Sequence, residues 1–192
     1  IIGIIDGGVI GTHPDLTGKQ VSGDSGEGSG LWVGHGTHVA GVSAAKTNNT
    51  EGIAGVDWYA QLLSQRVDIG GSSATYQAVV DAVNHSPNLH VLNNSFHQDN
   101  YSTLVRSAYA YAYKMNRVVV ASMGNTGNTT NTVQYPAAYG QGIISVGAMN
   151  KNGIRNYLSS YGSHIDVVAP GTGILSLNTQ TGSFDGDPDY MV

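Results

Sequence analysis

The chain has 192 residues, of which 40% are hydrophobic and 11% are charged, so it can form one globular domain with a single core. A net charge of −5 without a basic stripe argues against nucleic acid as a partner. The absence of cysteine excludes a disulfide framework and a thiolate zinc site, and no apolar run approaches the roughly 20 residues of a membrane helix.

Strand and helix patterns alternate along the chain. The apolar run 1–5 predicts a strand that is buried on both faces of a parallel sheet. Further strands are predicted at 61–67, 89–93, 118–121, 143–147 and 165–169, and amphipathic helices at 74–85 and 102–116. No repeat or linker divides the chain. We therefore expect one α/β domain spanning 1–192, with a mostly parallel central sheet and helices on both faces.

Asp6 follows the first strand directly, at the sheet edge where open α/β sheets carry their functional crevice. A nucleotide-binding turn is excluded here. Asp6 takes the place of the first glycine in the G-x-G-x-x-G fingerprint, and its charge would repel a phosphate. A lone aspartate at this position would otherwise be interpreted as a helix cap or a turn residue.

Segment 34–41 holds two histidines and three glycines within eight residues, and small apolar residues follow it. The glycines on either side of His35 allow backbone to approach closely. The pattern predicts a buried helix with His35 in its first turn, where the helix dipole would lower the imidazole pKa and favour the neutral form that a general base needs. Zinc ligation by His35 and His38 is less favoured, because zincins place their histidines at i, i+4 with a glutamate between them.

Two polar segments contain oxygen ligands. Asp15 lies in the turn 12–16, and the loop 47–56 offers side-chain and backbone oxygens that could ligate calcium. On spacing alone, an ordinary surface loop is the better interpretation.

Three polar side chains of complementary type thus occur at the ends of predicted elements. Asp6 could orient an imidazole, His35 could act as the base, and Asn125 could donate an amide hydrogen bond to an oxyanion. With a serine they would form an acyl-transfer site, and the order aspartate, histidine, nucleophile is one of the known triad orders.

The same segments closely resemble the subtilisin-like serine proteases (the subtilases, peptidase family S8). Segments 4–8 and 13–16 are similar to that family's aspartate block, 34–41 to its histidine block, 91–96 to its substrate-pairing strand and 121–125 to its oxyanion block. The match runs in order from Ile1 to about Ser176. The resemblance implies the three-layer subtilisin-like fold. It also implies a secreted, monomeric serine endopeptidase that cleaves extended peptides or proteins.

The resemblance also assigns roles. Asp6 would hold the imidazole, His35 would transfer the proton, Asn125 would stabilise the oxyanion, and His38 would be a packed, hydrogen-bonded residue. Substrate-binding positions would be Ser95, Phe96, His97, Ser122, Met123 and Gly124 around the residue before the scissile bond, with Tyr76 at a more distant subsite. No cofactor would be required for the chemistry. A structural calcium ion would be held by Asp15, Thr47, Asn49, Glu51 and Ile53.

The sequence departs from the family pattern at three places. Gly7 replaces a usual serine or threonine, and His97 stands where glycine is common, which would narrow the pocket edge. The nucleophile block Gly-Thr-Ser-Met-Ala is absent, and neither Ser176 nor Ser183 has the helix that should follow. We therefore expect a chain cut at both ends and inactive as given. The alternative is an inactive homologue that binds peptides, but the retention of Asp6, His35 and Asn125 argues against it.

Overall fold

The computed structural model of the chain describes residues 1–20, 31–67, 75–84, 88–178 and 190–191. The helices are α1 (Leu31–Ala44), α2 (Tyr76–Asn84) and α3 (Thr103–Lys114), with short 3-10 turns at Pro14–Leu16 and Ala137–Tyr139. The strands are β1 (Ile2–Asp6), β2 (Leu62–Arg66), β3 (Val91–Asn94), β4 (Val118–Ser122), β5 (Ile143–Met149), β6 (Val167–Pro170), β7 (Ser176–Leu177) and β8 (Tyr190–Met191). None of the described helices is long and apolar enough to cross a membrane.

Strands β1 to β6 form one sheet in the order β2-β1-β3-β4-β5-β6, and every neighbouring pair is parallel. Strands β7 and β8 form a separate antiparallel pair. Because all six strands point the same way, their carboxyl ends lie along one edge of the sheet. This arrangement confirms the predicted α/β fold with a mostly parallel sheet.

Alternation along the strands divides the core into two clusters. Ile5, Leu92 and Val119 pack with α2 and α3 on one face of the sheet. Ile4 and Leu62 pack with α1 on the other face. Strand β1 is buried on both faces because it lies inside the sheet between β2 and β3, as its uninterrupted apolar sequence predicts. The result is the predicted three-layer arrangement.

On the sheet face that carries α1, the strands β4, β5 and β6 are not covered by any of the described helices. We call this the open sheet face and define it by Val118, Val120, Ile144, Val146 and Val167. Val118 and Val167 are 46% and 49% exposed, although both lie in strands of a central sheet. A cavity of about 400 Å³ separates this surface from α1. Helix α1 covers only the β1 and β2 side of this face.

Candidate active site

Asp6 and His35 form a close pair at the carboxyl edge of the sheet. Asp6 is the last residue of β1 and is buried, and its carboxylate accepts the N–H of Gly7 at 2.7 Å. His35 lies on α1, and its Nδ1 is 2.8 Å and 2.9 Å from the two oxygens of the Asp6 carboxylate. This contact places the proton of a neutral ring on Nδ1, so Nε2 carries the lone pair that could accept another proton.

The backbone around His35 explains how α1 comes so close to β1. A Cβ on Gly36 would clash with the carbonyl oxygen of Gly8 and lie 3.3 Å from the Cβ of Asp6. The hydroxyl of Thr37 accepts the N–H of Ile10 at 3.0 Å, which holds the helix against the segment after β1. This is the close backbone approach that the glycines beside His35 predict.

The predicted effect on the His35 pKa is wrong in direction. Helix α1 begins at Leu31, so His35 lies in the second turn rather than the first, and the influence of the helix dipole falls off within the first turn. The pKa of His35 is raised above 6.5. Its hydrogen bond to Asp6 and the charge of that carboxylate outweigh the opposing effect of burial.

His38, three residues further along α1, has a different environment. Its Nε2 donates to the carbonyl of Ile174 at 3.0 Å, and its own carbonyl accepts the hydroxyl of Ser176 at 2.6 Å. Burial lowers the pKa of His38 below 6.5. His38 is thus the packed, hydrogen-bonded residue expected, and it joins α1 to β7. Within the described ranges, no three histidine or acidic side chains lie together as metal ligands, so the zinc hypothesis finds no support.

Asn125 follows β4 at the same edge of the sheet, and its side chain is exposed. Only β3 lies between β1 and β4, so the ends of these two strands are about 10 Å apart at ordinary strand spacing. The structure therefore places the three predicted catalytic residues at one edge of the sheet. An acyl-transfer site needs a base, an orienting carboxylate and an amide donor of these kinds at one edge.

The predicted substrate-binding residues lie around the same edge, with one exception. Ser95 and Ser122 line the 400 Å³ cavity, and His97 is exposed. Phe96 is half-buried and packs against the core, and Tyr76 begins α2 and donates to the carbonyl of Asn100 at 3.4 Å. The exception is the side chain of Met123, which is 1% exposed and belongs to the core. Only the backbone of Met123 can contact a substrate, because its side chain follows the inward alternation of β4.

Two of the predicted calcium ligands contact Asp15, whose side chain is buried. Its carboxylate accepts the Nδ2 group of Asn49 at 2.7 Å and the N–H of Ile53 at 2.9 Å. Thr47 and Glu51 lie in the same loop, and Glu51 is exposed. The oxygen-rich donor set fits a hard cation. In the present arrangement, however, Asn49 presents its N–H rather than its oxygen to Asp15.

Gln134 and Ser160 contact the turn that carries Asn125, and neither is singled out by the sequence. Gly124 has φ +90°, and a Cβ there would clash with the side-chain oxygen of Gln134 and lie 3.4 Å from the hydroxyl of Ser160. Gln134 is buried and donates to Asp99 at 3.1 Å. No pattern in the sequence distinguishes Gln134 or Ser160, because both come from loops that reach Gly124 only in the folded chain.

Comparisons with known proteins agree with this geometry. A family model described as the subtilase family matches residues 1–188. A thermophilic serine proteinase of Bacillus sp. (strain AK1) is 39% identical over 93% of this chain, and this match covers 45% of that protein. Thermitase of Thermoactinomyces vulgaris is also 39% identical, over 91% of this chain and 64% of its own length.

Solved structures extend the likeness to three dimensions. The psychrophilic subtilisin-like protease Apa1 from Pseudoalteromonas sp. AS-11 superposes with a TM-score of 0.79 at 32% identity, covering 95% of this chain and 43% of that one. The chain thus spans between about half and two thirds of the length of the curated relatives named here.

Proposed function

The chain belongs to the subtilase family. We propose that it supplies the orienting aspartate, the histidine base and the oxyanion donor of a serine endopeptidase. The observation that carries this proposal is the contact of Asp6 with Nδ1 of His35, at the sheet edge that also carries Asn125. Its relatives include a thermophilic serine proteinase and thermitase. None of the segments of this sequence matches the nucleophile block Gly-Thr-Ser-Met-Ala, so we assign the serine to no residue here.

The proposed mechanism follows from the atoms of this pair. A serine hydroxyl gives its proton to Nε2 of His35 as its oxygen bonds to the scissile carbonyl carbon. Asp6 keeps the ring oriented and stabilises the imidazolium that forms. The side-chain amide of Asn125 donates to the oxyanion of the tetrahedral intermediate. The intermediate collapses as the C–N bond breaks and His35 returns the proton to the leaving amine. Water then releases the acyl group by the same steps.

The substrate we propose is an extended peptide or protein segment. The ends of β3 and β4 carry Ser95, Phe96 and His97 on one side and Ser122 to Gly124 on the other, and they flank the residue before the scissile bond. An extended segment that adds to a strand satisfies its backbone hydrogen bonds there. Tyr76, at the start of α2, would border a more distant subsite.

We propose that the nucleophile-bearing helix of the intact enzyme packs on the open sheet face. This surface is apolar, lies beside α1, and borders Ser95 and Ser122 through the 400 Å³ cavity. The chemistry requires no cofactor. Calcium, if bound, would be held by Asp15, Asn49 and the carbonyls of Thr47, Glu51 and Ile53. We further propose a secreted monomer that binds neither nucleic acid nor membranes.

Fluorophosphonate labelling tests the proposal. Residues 1–192 alone should show no peptidase activity and no labelled serine. A longer product of the same gene should be labelled in a Gly-Thr-Ser-Met-Ala block, and labelling should fall strongly when His35 is replaced by alanine. Labelling of a serine within 1–192 would contradict the assignment. A longer product that binds peptides but is neither labelled nor active would favour the inactive, peptide-binding alternative.

A further inference from the structure

Ser160 holds the turn that carries Asn125 from both sides. This serine is 3% exposed. Its backbone N–H donates to the carbonyl of Gly124 at 2.9 Å, and its hydroxyl oxygen accepts the N–H of Thr126 at 3.0 Å. The same hydroxyl lies 3.1 Å from that of Thr126. The residues immediately before and after Asn125 are therefore both bonded to a single buried side chain and its own backbone.

We propose that Ser160 is a positioning residue for the oxyanion donor Asn125, a role that rests on the peptidase function proposed above. Ser160 touches neither the substrate nor the reacting atoms. It acts by fixing the backbone from which the Asn125 amide projects.

The bonds from Ser160 to Gly124 and Thr126, which we call the Ser160 clamp, can fix the turn because segment 158–161 is itself anchored. The N–H of Gly127 donates to the carbonyl of Leu158 at 2.8 Å. The hydroxyl of Ser159 accepts the N–H of Ala148 at 2.9 Å, which ties the segment to β5. The turn after β4 is thus fastened to the neighbouring strand through residues 158–160, rather than held by β4 alone.

The far end of the same loop is fastened as well. The Asn131 side chain donates to the carbonyl of Tyr161 and accepts its N–H, both at 2.9 Å. The guanidinium of Arg155 lies 4.7 Å from the centre of the Tyr161 ring. Loop 124–131 is therefore bonded to 158–161 at its start and near its end.

The chemistry of an oxyanion donor explains why the turn around Asn125 must be held in place. The Asn125 side chain is exposed, and within the described ranges no hydrogen bond holds its amide. An amide donor stabilises the transition state only if it is already in place when the charge develops. The backbone of the turn must therefore supply the preorganisation, and Ser160 is the residue that fixes that backbone on both sides of Asn125.

The test uses the active, full-length enzyme with S160A. Loss of one neutral hydrogen bond should lower kcat by about 3- to 10-fold, with KM changed less than about twofold. S145A is the matched control, because the Ser145 hydroxyl is also fully buried and also accepts a backbone N–H, that of Asp166 at 3.1 Å. S145A should lower stability at least as much as S160A while leaving kcat unchanged.

A double-mutant cycle separates positioning from general destabilisation. N125A should lower kcat by about 10²- to 10³-fold, the usual loss for one oxyanion donor. In that background S160A should add less than about twofold, since the group that it positions is gone. A full S160A effect in the N125A background would overturn the proposal, as would an unchanged kcat in S160A.

A second test of the Ser160 role, hydrogen exchange, does not depend on peptidase activity. Hydrogen exchange at the Thr126 amide should be slow in the wild-type chain, fast in S160A and slow in S145A. If S160A does not fold, S160C keeps the volume with a much weaker acceptor and should give the same pattern. Unchanged Thr126 protection in these variants would overturn the clamp. If the wild-type enzyme fails to hydrolyse peptides, the proposed function falls, and the exchange result decides the clamp by itself.

Discussion

At the scale of single residues, the pKa values of two histidines on one helix are shifted in opposite directions. His35 faces the Asp6 carboxylate, and His38, which is half-buried, faces the carbonyl of Ile174. The sequence motif predicts that His35 needs a carboxylate and that His38 is packed. The predicted direction of the His35 pKa shift is wrong, because the hydrogen bond to Asp6 and the charge of that carboxylate raise the pKa, and helix α1 begins a full turn before His35.

Titration of the two rings by NMR should show this contrast. We expect the pKa of His35 above 6.5 and that of His38 below it. In D6N the pKa of His35 should fall below its wild-type value, since the charge and the carboxylate hydrogen bond that raise it are gone while burial remains. The pKa of His38 should change much less. An unchanged His35 pKa in D6N would show that Asp6 does not control this ring.

The same shifts fix the sign of two pH effects on stability. The raised pKa of His35 contributes stability that is full below the unfolded value of 6.5 and is lost as pH rises through its folded pKa. The lowered pKa of His38 has the opposite effect, since its contribution is present above 6.5 and is lost as pH falls through its folded pKa. If His35 is the base that we propose, the activity of the enzyme should rise with pH through a value above 6.5, as the ring becomes neutral.

Gly124 provides a prediction about packing at a single residue. G124A should destabilise the chain by more than G140A, although both glycines have a positive φ, +90° and +86°. A Cβ at 140 meets nothing within 4 Å and so carries only the backbone strain of about 1 kcal/mol. A Cβ at 124 carries the same strain and also displaces the buried side chain of Gln134, which adds about 1–3 kcal/mol. Urea unfolding of the two variants measures the difference, and equal losses would contradict it.

At the scale of elements, apolar runs and helical periodicity predict most strands and helices to within about two residues. The last of the predicted strands, 165–169, differs from the structure at its start. Ile165 and Asp166 are predicted to be in a strand, but β6 begins at Val167. The Asp166 carboxylate instead accepts the N–H and hydroxyl of Ser145, at 2.9 Å and 2.8 Å. A side chain that bonds a neighbouring strand in this way competes with strand pairing, and this depends on the partner rather than on the local sequence.

Helix α1 allows a prediction about how an element positions the pair of Asp6 and His35. G36A should push α1 away from the carbonyl of Gly8, since a methyl group there clashes with backbone that cannot rotate aside. The contact of His35 with Asp6 should lengthen, so the His35 pKa should fall towards 6.5 and kcat should drop by at least about tenfold in the active enzyme. S43A, on the same helix, removes a hydroxyl that donates to the carbonyl of Val39, and it should change neither quantity. A wild-type His35 pKa in G36A would contradict the close approach.

At the scale of the whole molecule, the parallel sheet brings together residues that are far apart in sequence. Asp6 and Asn125 lie at the same edge because β1 and β4 run parallel on either side of β3. Alternating elements predict such a sheet, and the edge rule then predicts where the site lies. The strand order, with β1 between β2 and β3, and the contact of Ser160 with the Asn125 turn depend on tertiary packing. No pattern within a single segment encodes them.

The open sheet face leads to a prediction about the stability of residues 1–192, because it leaves apolar side chains of central strands exposed. Val118 is 46% exposed, and its neighbour Val119 is 1% exposed on the opposite face of β4. V119T should destabilise the chain by about 1–3 kcal/mol, because it buries a hydroxyl among apolar side chains. The triple variant V118T, I144T and V167T should cost less than about 1 kcal/mol, because all three side chains are at least 41% exposed.

The same triple variant should reduce the fluorescence of a bound hydrophobic dye, because it removes methyl groups from an exposed apolar surface, whereas V119T should not while the chain stays folded. In a longer product of the gene that carries the proposed helix, the three surface substitutions should become the costly ones. A helix packed over the open sheet face would bury them, and their threonine variants would then cost several kcal/mol, as core substitutions do. Urea unfolding of both lengths, with and without the triple substitution, measures this change. Equal costs in the two lengths would show that no added segment covers this face, and our placement of the nucleophile-bearing helix would be wrong.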